Sequence, residues 1–336
     1  MNEKSMTRRS LVKRAVLLAP IPASTVSSFS LAQSSGALSL ARIIVGSGAG
    51  SVIDTLARRV CERLTPHYSQ SAIVENRTGA SGQLAVSYVK NAPKDGATIL
   101  LTPSPHLVLF PYTFQNLPYR PATDLMPVSI GATFDLAFAV GPAVPEQVRN
   151  LHDFVRWCKA NPDKSQFGSP AAGSTPHFAG AMLARAGDFR LDHVAYRGPG
   201  PAVLDMVGGH IAAACAPLGD VHTFAKSEKC RILATTGSRR SIFMPGVPTF
   251  SEMGFKDVVI QDWVGFFLPA NTPKPLQKNA QDEIVRVLSN KELQEAMAAN
   301  CYETGGGTAE ALAERMRIET ARWKSVVTAL GFTAVS

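Results

Sequence analysis

The amino-acid sequence predicts an α/β fold made of two lobes. The chain has 336 residues, of which 45% are hydrophobic and 18% charged. It can therefore bury a large core, and at about 150 residues per domain it has room for two domains. Short apolar runs alternate with amphipathic stretches, as parallel strands joined by crossover helices require. This alternation starts again near residue 139, which indicates the second lobe.

The first lobe opens with a strand, a glycine-rich turn and a helix. The strand covers 41–45, the turn 46–51 and the helix 52–64, whose apolar residues recur on one face. The next predicted elements are a strand at 72–75, a loop at 76–82, a helix at 84–91, a strand at 98–101 and the breaker-rich residues 102–105.

The second lobe repeats this order. Its predicted elements are a helix at 151–160, a strand at 166–168, a loop at 169–175, a helix at 176–186, a strand at 193–196, a loop at 197–200, a helix through Leu204 and Val207, and strands near 211–216 and 231–235. A strand and turn over 258–269 lead to three helices, at 276–288, 291–299 and 309–330. We expect these helices to return to the first lobe. The predicted lobes, joined by two crossover segments, are 38–138 with 263–336, and 139–262.

The N-terminal residues carry the pattern of an export signal. Thr7-Arg8-Arg9-Ser10-Leu11-Val12-Lys13 is a twin-arginine pattern, and it precedes an apolar stretch over 15–23 and small residues that end at Ala32. A membrane anchor needs about 20 apolar residues, whereas this stretch is shorter and contains two prolines. We predict a cleaved signal over 1–32 and a periplasmic protein that does not span the membrane after cleavage. The cleavage site and the export route are left open.

The net charge of +8 does not indicate a nucleic-acid partner. Residues 1–32 hold five of the 34 basic side chains and one of the 26 acidic ones, so the rest of the chain has 29 basic and 25 acidic residues. No run of five like charges follows residue 32, and aromatic residues do not alternate with Arg or Lys. We therefore expect no nucleic-acid partner.

No catalytic or metal-binding motif stands out. The sequence lacks GxSxG, HExxH and GxxxxGK[ST] motifs, and its seven histidines show no regular pairing with acids. The five cysteines lie apart without a CxxC pair, and we expect buried thiols, with Cys215 and Cys230 as conceivable disulfide partners. We therefore expect no catalytic residues, no metal and no cofactor.

Loop 46–51 lies where a strand meets a helix N-terminus, a place where free N–H groups and the helix dipole favour an anion. Its candidate ligand residues are Ser47, Gly48, Ala49, Gly50 and Ser51. It fits a dinucleotide fingerprint poorly, because the third glycine and the acid about 20 residues further on are missing. Asp54, in the first turn of the helix, is another candidate ligand residue, or an acid that simply suits the helix dipole.

Two loops of the second lobe have the same character. Pro176 suits the first helical position, so Thr175 is the predicted N-cap, and we expect the loop at Gly173 to line a cleft and not a core. The Arg197 guanidinium suits a carboxylate, or it covers the lobe surface. The candidate ligand residues of these loops are Ser169, Ala172, Gly173, Ser174, Thr175, Arg197, Gly198 and Gly200.

Seven segments, in this order, resemble one known family. They are V-G-S-G-A-G-S-V-I-D-T-L-A-R (45–58), V-E-N-R-T-G-A-S-G (74–82), K-D-G-A-T-I-L-L (94–101), F-G-S-P-A-A-G-S-T-P-H (167–177), A-Y-R-G-P-G-P-A-V-L-D-M-V-G-G-H-I (195–211), P-G-V-P-T-F-S-E-M-G-F (245–255) and W-V-G-F-F-L-P-A-N-T-P (263–273). They span nearly all of the chain after the signal. The sequence resembles the Bug family, the substrate-binding receptors of tripartite tricarboxylate transporters.

The resemblance implies a type II periplasmic-binding-protein fold, in which two α/β lobes enclose a ligand cleft. It implies a small carboxylate ligand, such as a dicarboxylate, tricarboxylate, amino acid or aromatic acid, held largely by N–H groups, hydroxyls and waters. It adds Ser104 and His106 to the candidate ligand residues. The partners it implies are the membrane permease subunits of a tripartite tricarboxylate transporter.

Two departures from the family pattern leave the identity of the acid open. Val45-Gly46 stands where the family usually has Pro-Phe, and Ala216-Pro217 stands where an Asp commonly follows a strand. The leading hypothesis is a solute-binding protein that performs no chemistry on its ligand. The alternative is a periplasmic sensor subunit that presents its bound acid to a membrane signalling protein. An enzyme that uses the same cleft is a third hypothesis, which the missing motifs disfavour.

Overall fold

The computed structural model describes residues 38–335, so the predicted export signal lies outside the described residues. The predicted first unit is confirmed: β1 (Leu38–Val45) leads into α1 (Val52–Leu64), whose buried residues recur three and four apart. β2 (Ser69–Asn76), α2 (Gln83–Lys90) and β3 (Thr98–Pro103) follow. β1 lies between β2 and β3 and runs parallel to both.

Three short helices that the sequence pattern did not predict follow β3. They are α3 (Pro105–Val108), α4 (Phe110–Thr113) and α5 (Pro121–Asp124). Each has a proline in its first two positions, where proline's fixed φ suits the helix and its missing N–H needs no partner. Together they connect β3 to the strand that begins at residue 125.

The second lobe contains the predicted strands and helices and one more helix. Its elements are α6 (Leu151–Ala160), β5 (Gln166–Ser169), α7 (Thr175–Gly187), β6 (Asp192–Ala195), α8 (Pro199–Val207), β7 (Ala213–Pro217), α9 (Leu218–Lys226) and β8 (Arg231–Thr235). β5 lies between β6 and β7 and runs parallel to both. Helix α9 was not predicted.

Two long antiparallel strands correct the expectation of a purely parallel sheet. β4 (Leu125–Val140) was not predicted, and β9 (Gln261–Pro269) runs antiparallel to β3 and β4. β4 pairs with β9 up to Asp135 and with β7 from Leu136, so one strand belongs to both lobes. The pairing of β4 with β9 shifts register next to Pro127, a residue that breaks a strand pattern.

The C-terminal helices pack against the elements that precede β4. α10 (Lys274–Leu288), α11 (Lys291–Ala298), the short β10 (Glu303–Thr304) and α12 (Ala309–Ala329) complete the fold. α10 contacts α1, and α12 contacts α3 and α4. The sheet order is β2-β1-β3-β9-β4-β7-β5-β6, with β8 and β10 also paired to β4. The predicted lobe boundaries fall inside β4 and β9, and they stay a prediction.

The cysteines are buried thiols, as expected. All five are free, including Cys215 and Cys230. Burial raises the pKa of Cys61 to about 12 and the pKa of Cys158 to about 11, so these thiols stay protonated at neutral pH. None of the helices within residues 38–335 is long and apolar enough to cross a membrane.

Candidate ligand-binding site

The loop between β1 and α1 is held by hydrogen bonds of its own hydroxyls. Ser51 caps α1: its Oγ accepts a hydrogen bond from the N–H of Asp54 (3.2 Å) and donates one to Oγ of Ser47 (2.8 Å). Residues 48–50 are exposed. The loop therefore presents two linked hydroxyls and three exposed residues at the positive end of a helix.

Asp54 lies beneath this loop and is buried. Its Oδ2 accepts hydrogen bonds from the N–H of Gly50 (2.8 Å) and from Nε of Arg58 (2.9 Å), and its Oδ1 accepts one from Nδ2 of Asn76 (2.8 Å). Burial by itself raises the pKa of Asp54, but these hydrogen bonds hold the pKa below its ordinary value. Both carboxylate oxygens are therefore engaged by the protein, and Asp54 fixes the shape of the loop.

Replacing Asp54 with alanine should destabilise the protein by about 1–3 kcal/mol, because the Gly50 N–H loses its acceptor and the Asn76 amide loses one of its two acceptors. The loosened loop should also bind ligand more weakly. Urea denaturation measures the first effect and calorimetric titration the second. Asp54→Asn is the matched control, since it keeps the side-chain volume and one acceptor oxygen. It should lose less stability and less affinity than Asp54→Ala. Unchanged stability of Asp54→Ala would contradict this role.

A cavity of 190 Å³ opens beside this loop and is lined by residues of the first lobe. It brings together Ser47 and His106 of the predicted ligand residues. Ser81 was missed, although a hydroxyl between glycines, as in residues 79–82, is typical of a backbone that approaches a ligand closely. The lining residues are Gly46, Ser47, Ile53, Ser81, Gly82, Pro103 and His106.

The turn that carries Ser81 has a backbone conformation that side chains rarely adopt. Four successive residues, Gly79, Ala80, Ser81 and Gly82, have φ of +121°, +46°, +53° and +86°. A left-handed conformation at a non-glycine residue costs on the order of 1–3 kcal/mol. The surrounding structure holds two such residues in place, and the turn puts Ser81 on the cavity wall.

Two glycines let the loops that form the cavity touch. A Cβ on Gly46 would lie 2.8 Å from the carbonyl oxygen of Gly82. A Cβ on Gly82 would lie 2.4 Å from Cε1 of His106. A side chain at either position would have to displace its neighbour, so these glycines fix the shape of the cavity.

His106 lines the cavity as a neutral ring. Burial lowers the pKa of His106 to about 4, although a hydrogen bond with the backbone of Ser81 opposes the shift. Its Nδ1 lies 2.7 Å from Oγ1 of Thr102, and the hydroxyl of Tyr119 donates to its backbone carbonyl (3.0 Å). At neutral pH the lining residues therefore offer polar groups without formal charge.

The N-cap of α7 differs from the prediction. Ser174 has an extended backbone and its Oγ accepts from the N–H of His177 (3.4 Å), whereas Thr175 is the first helical residue. Pro176 therefore occupies the second helical position, not the first. The prediction of Thr175 as the cap is wrong, because proline is equally compatible with the next position of the first turn.

Two stacked histidines support the loop before α7. The ring centroids of His177 and His193 lie 3.9 Å apart. Burial lowers the pKa of His177 to about 4 and the pKa of His193 to about 3. Nε2 of His193 lies 2.7 Å from Oγ of the buried Ser169, and Nδ1 of His177 accepts from the N–H of Gly173 (3.1 Å). Both rings are neutral at neutral pH, so they hold the loop without adding charge.

Gly173 is buried at a contact between distant parts of the chain. Its φ is +74°, and a Cβ there would lie 3.1 Å from Cβ of Thr113 and 3.3 Å from Cζ of Phe332. Thr113 ends α4, and Phe332 follows α12. These two side chains cover Gly173, so it is packed between distant parts of the chain. That its loop lines a ligand cleft stays a prediction. Its neighbours Ala172 and Ser174 are half-buried.

The third predicted loop lies beside the second. The N–H of Gly198 donates to the carbonyl of Pro170 (3.1 Å), and the N–H of Tyr196 donates to that of Ser169 (2.9 Å). Arg197 and Gly200 are exposed. The loop therefore places a solvent-accessible guanidinium next to the segment that precedes α7.

Ser104 and Thr175 are buried and share one carboxylate. Oγ of Ser104 donates to Oδ1 of Asp262 (3.0 Å), and Oγ1 of Thr175 donates to Oδ2. Each of the two hydroxyl residues is 1% exposed. Asp262 was not predicted, because a single acid at the start of a strand gives no periodic signal. Predicted ligand residues from both lobes thus meet at a residue that the sequence did not single out.

A larger cavity of 680 Å³ lies away from the predicted loops. It has a mostly apolar lining and shares α3 with the smaller cavity, since Leu107 lines one and His106 the other. None of the predicted ligand residues lines it, so we place the candidate site where the loops converge. Within residues 38–335, no three His, Cys, Asp or Glu side chains lie close enough together to hold a metal ion.

Comparison with known proteins identifies the family. Residues 56–332 match the Tripartite tricarboxylate transporter family receptor. The chain belongs to this family. It is 30% identical over 279 residues to the "UPF0065 protein in tcbD-tcbE intergenic region" of Pseudomonas sp. (strain P51). The aligned residues cover 83% of this chain and 82% of the relative.

Solved structures share the fold. The periplasmic binding protein BugD is 25% identical, with a TM-score of 0.78 over 88% of this chain and 99% of BugD. The R. palustris protein Rpa4515, solved with adipate, is 26% identical, with a TM-score of 0.79 over 88% of this chain and 98% of that protein. These likenesses confirm the predicted resemblance to the Bug family and the two-lobed periplasmic-binding-protein fold.

Proposed function

We propose that this protein is a periplasmic receptor of a tripartite tricarboxylate transporter, which captures a small carboxylate between its lobes and releases it unchanged. The observation that carries the proposal is the 190 Å³ cavity, where Ser47, Ser81 and the neutral His106 converge beside the N-terminus of α1. Family membership and the adipate-bound relative support a carboxylate as the ligand class.

The chemistry of the cavity suits a reversible anion site. Helix N-termini and hydroxyls donate hydrogen bonds to carboxylates, and a lining without acidic groups does not repel them. Each hydrogen bond to a charged group contributes roughly 1.5–3 kcal/mol, and a micromolar affinity needs only about 8 kcal/mol. A few neutral donors therefore suffice, and the ligand can leave again. Ligand cavities of about 300–1,000 Å³ hold drug-sized molecules, so 190 Å³ favours a smaller acid.

The side-chain contact between Ser169 and His193 does not support an enzyme. Ser169 and His193 lie within hydrogen-bond distance, but Ser169 is fully buried. Its Oγ also bonds the carbonyl of Ala171, and the His193 ring is covered by His177. Burial lowers the pKa of His193 to about 3, far from the range in which a general base works at neutral pH.

A panel of organic acids tests the ligand class. Mono-, di- and tricarboxylates are added to the purified protein, and the melting temperature is recorded. A ligand at 100 times its Kd stabilises the folded state by about 2.7 kcal/mol, which is a shift of several degrees. Absence of a shift with every acid would contradict carboxylate binding. Co-purification with a membrane histidine kinase, in place of permease subunits, would favour the sensor alternative.

Ser81→Gly removes the Ser81 hydroxyl without adding backbone strain, so it tests the role of this hydroxyl in ligand binding. Glycine suits the left-handed backbone at this position, so the variant should be as stable as the wild type or slightly more stable. The loss of one hydrogen bond to the acid should weaken binding by about 10-fold or more. Calorimetric titration with an acid from the panel measures this change. Ala80→Gly, with the same backbone relief and no hydroxyl to lose, should keep wild-type affinity, and equal affinities of the two variants would exclude Ser81 from the site.

A further inference from the structure

Asp262 joins the starts of two helices from different lobes. It lies on β9, opposite Phe134 of β4, where the chain passes between the lobes. Ser104, just before α3, and Thr175, at the start of α7, both donate their hydroxyl hydrogens to its carboxylate. The N–H of Ser104 also donates to the carbonyl of Trp263 (2.8 Å). The carboxylate is therefore the common acceptor for two hydroxyls that were predicted to bind the ligand.

No cation pairs with this carboxylate within the described part of the chain. Asp262 is 5% exposed. Arg315 of α12 is close enough to act on it electrostatically, but its guanidinium bonds Glu319 (2.7 Å) and the carbonyl of Gln261 (2.9 Å). The other titratable groups that face Asp262 are Glu319 of α12, Tyr302 before β10 and Cys215 of β7. The buried charge is thus held by two neutral hydroxyls.

The environment brings the titration of this carboxyl near physiological pH. Burial raises the pKa of Asp262 to about 6, although the hydrogen bonds from Thr175 and Ser104 oppose the shift. A protonated carboxyl needs one acceptor of its own and no longer requires two donated hydrogen bonds. Protonation would therefore release hydroxyls that a bound carboxylate can use. An anion that arrives close to a buried carboxylate also favours the protonated form of that carboxylate.

We propose that Asp262 is a positioning residue that holds the Ser104 and Thr175 hydroxyls for the ligand and takes up a proton when the anionic ligand binds. The proposal rests on the proposed function, because it assumes a carboxylate beside these hydroxyls. It predicts that affinity for an acid rises as the pH falls from 8 to 6, and that this dependence requires the carboxyl of Asp262.

The first test needs no ligand. The melting temperatures of the wild type and of Asp262→Asn are compared at pH 5 and pH 8. The folded-state pKa of Asp262 is raised, so this carboxyl makes the wild type lose stability as the pH rises towards and through about 6, and the asparagine variant lacks this contribution. We expect the melting temperature of Asp262→Asn, relative to that of the wild type, to be several degrees higher at pH 8 than at pH 5. An unchanged difference between the two proteins overturns the proposal.

The second test uses adipate, the ligand of the R. palustris relative. Its carboxylates, which resemble a Glu side chain with a pKa near 4.3, are largely ionised from pH 6 to pH 8. For the wild type we expect the Kd to rise about tenfold from pH 6 to pH 8, and for Asp262→Asn less than about twofold. Ser104→Ala, which keeps the Asp262 carboxyl but loses one hydroxyl, should bind adipate more weakly at both pH 6 and pH 8 and keep the pH dependence.

The outcomes separate this proposal from the proposed function. Equal pH dependence of adipate binding in the wild type and Asp262→Asn overturns the role of Asp262 and leaves carboxylate capture standing. If the wild type binds neither adipate nor any acid of the panel, carboxylate capture fails and the ligand-linked role fails with it. A tenfold pH effect that disappears in Asp262→Asn supports the proposal.

Discussion

Gly173→Trp should abolish ligand binding and lower the melting temperature. Gly173 is buried, has φ of +74° and lies against Thr113 and Phe332, so an indole cannot enter without pushing these groups away. Overpacking and a non-glycine residue in the left-handed region together cost at least about 3 kcal/mol. The expected loss in melting temperature is roughly 5–10 °C.

The loss of binding should follow from displacement of the loop before α7. The N–H of Gly173 donates to His177, and Thr175 two residues further on donates to Asp262. A tryptophan that forces this segment outward breaks both contacts, so affinity for any acid of the panel should fall by more than about 100-fold. Far-ultraviolet circular dichroism should stay near that of the wild type, because Ser174 still caps α7.

Gly246→Trp is the matched control for this variant. Gly246 is exposed, a Cβ added to it would have no atom within 4 Å, and its backbone does not require a positive φ. The same substitution there should leave affinity unchanged and move the melting temperature little. Wild-type affinity of Gly173→Trp would show that the segment before α7 takes no part in binding.

The helices and strands of this fold were predictable where a single spacing of apolar residues dominates the sequence. The apolar spacing of residues 52–64 reproduces α1, and the run at 41–45 lies within β1. β4 was missed, because Pro127 and Gly131 interrupt its pattern and its pairing shifts register beside both. The alternation of apolar and amphipathic stretches therefore did not predict β4, nor the antiparallel direction of β9.

The sequence predicted which loops form the candidate site, but it did not predict which residues contact one another there. A strand, a glycine turn and a helix identify Ser47 and its neighbours, because that order places free N–H groups at a helix N-terminus. The burial of Gly173 was not predictable, since it depends on Phe332, about 160 residues away in the sequence. Asp262 was missed for the same reason: its partners Ser104 and Thr175 meet it only after the sheet has formed.

Gly46→Ala should weaken ligand binding far more than Gly48→Ala, two residues further along the same loop. A Cβ at Gly46 would lie 2.8 Å from the carbonyl oxygen and 2.9 Å from Cα of Gly82. These are backbone atoms, so the methyl group has to move a whole loop and not one flexible side chain. At Gly48 a Cβ has no atom within 4 Å.

The displaced loop is the one that carries Ser81, and it packs on the ring of His106. Overpacking of this kind costs about 1–3 kcal/mol, which corresponds to roughly a 10- to 100-fold rise in Kd if the cavity loses its shape. Gly48→Ala should stay within about twofold of the wild type. Titration of both variants with the same acid measures the contrast. Equal affinities would mean that the contact between these two loops does not shape the binding site, and the cavity could then no longer be the place where the acid is held.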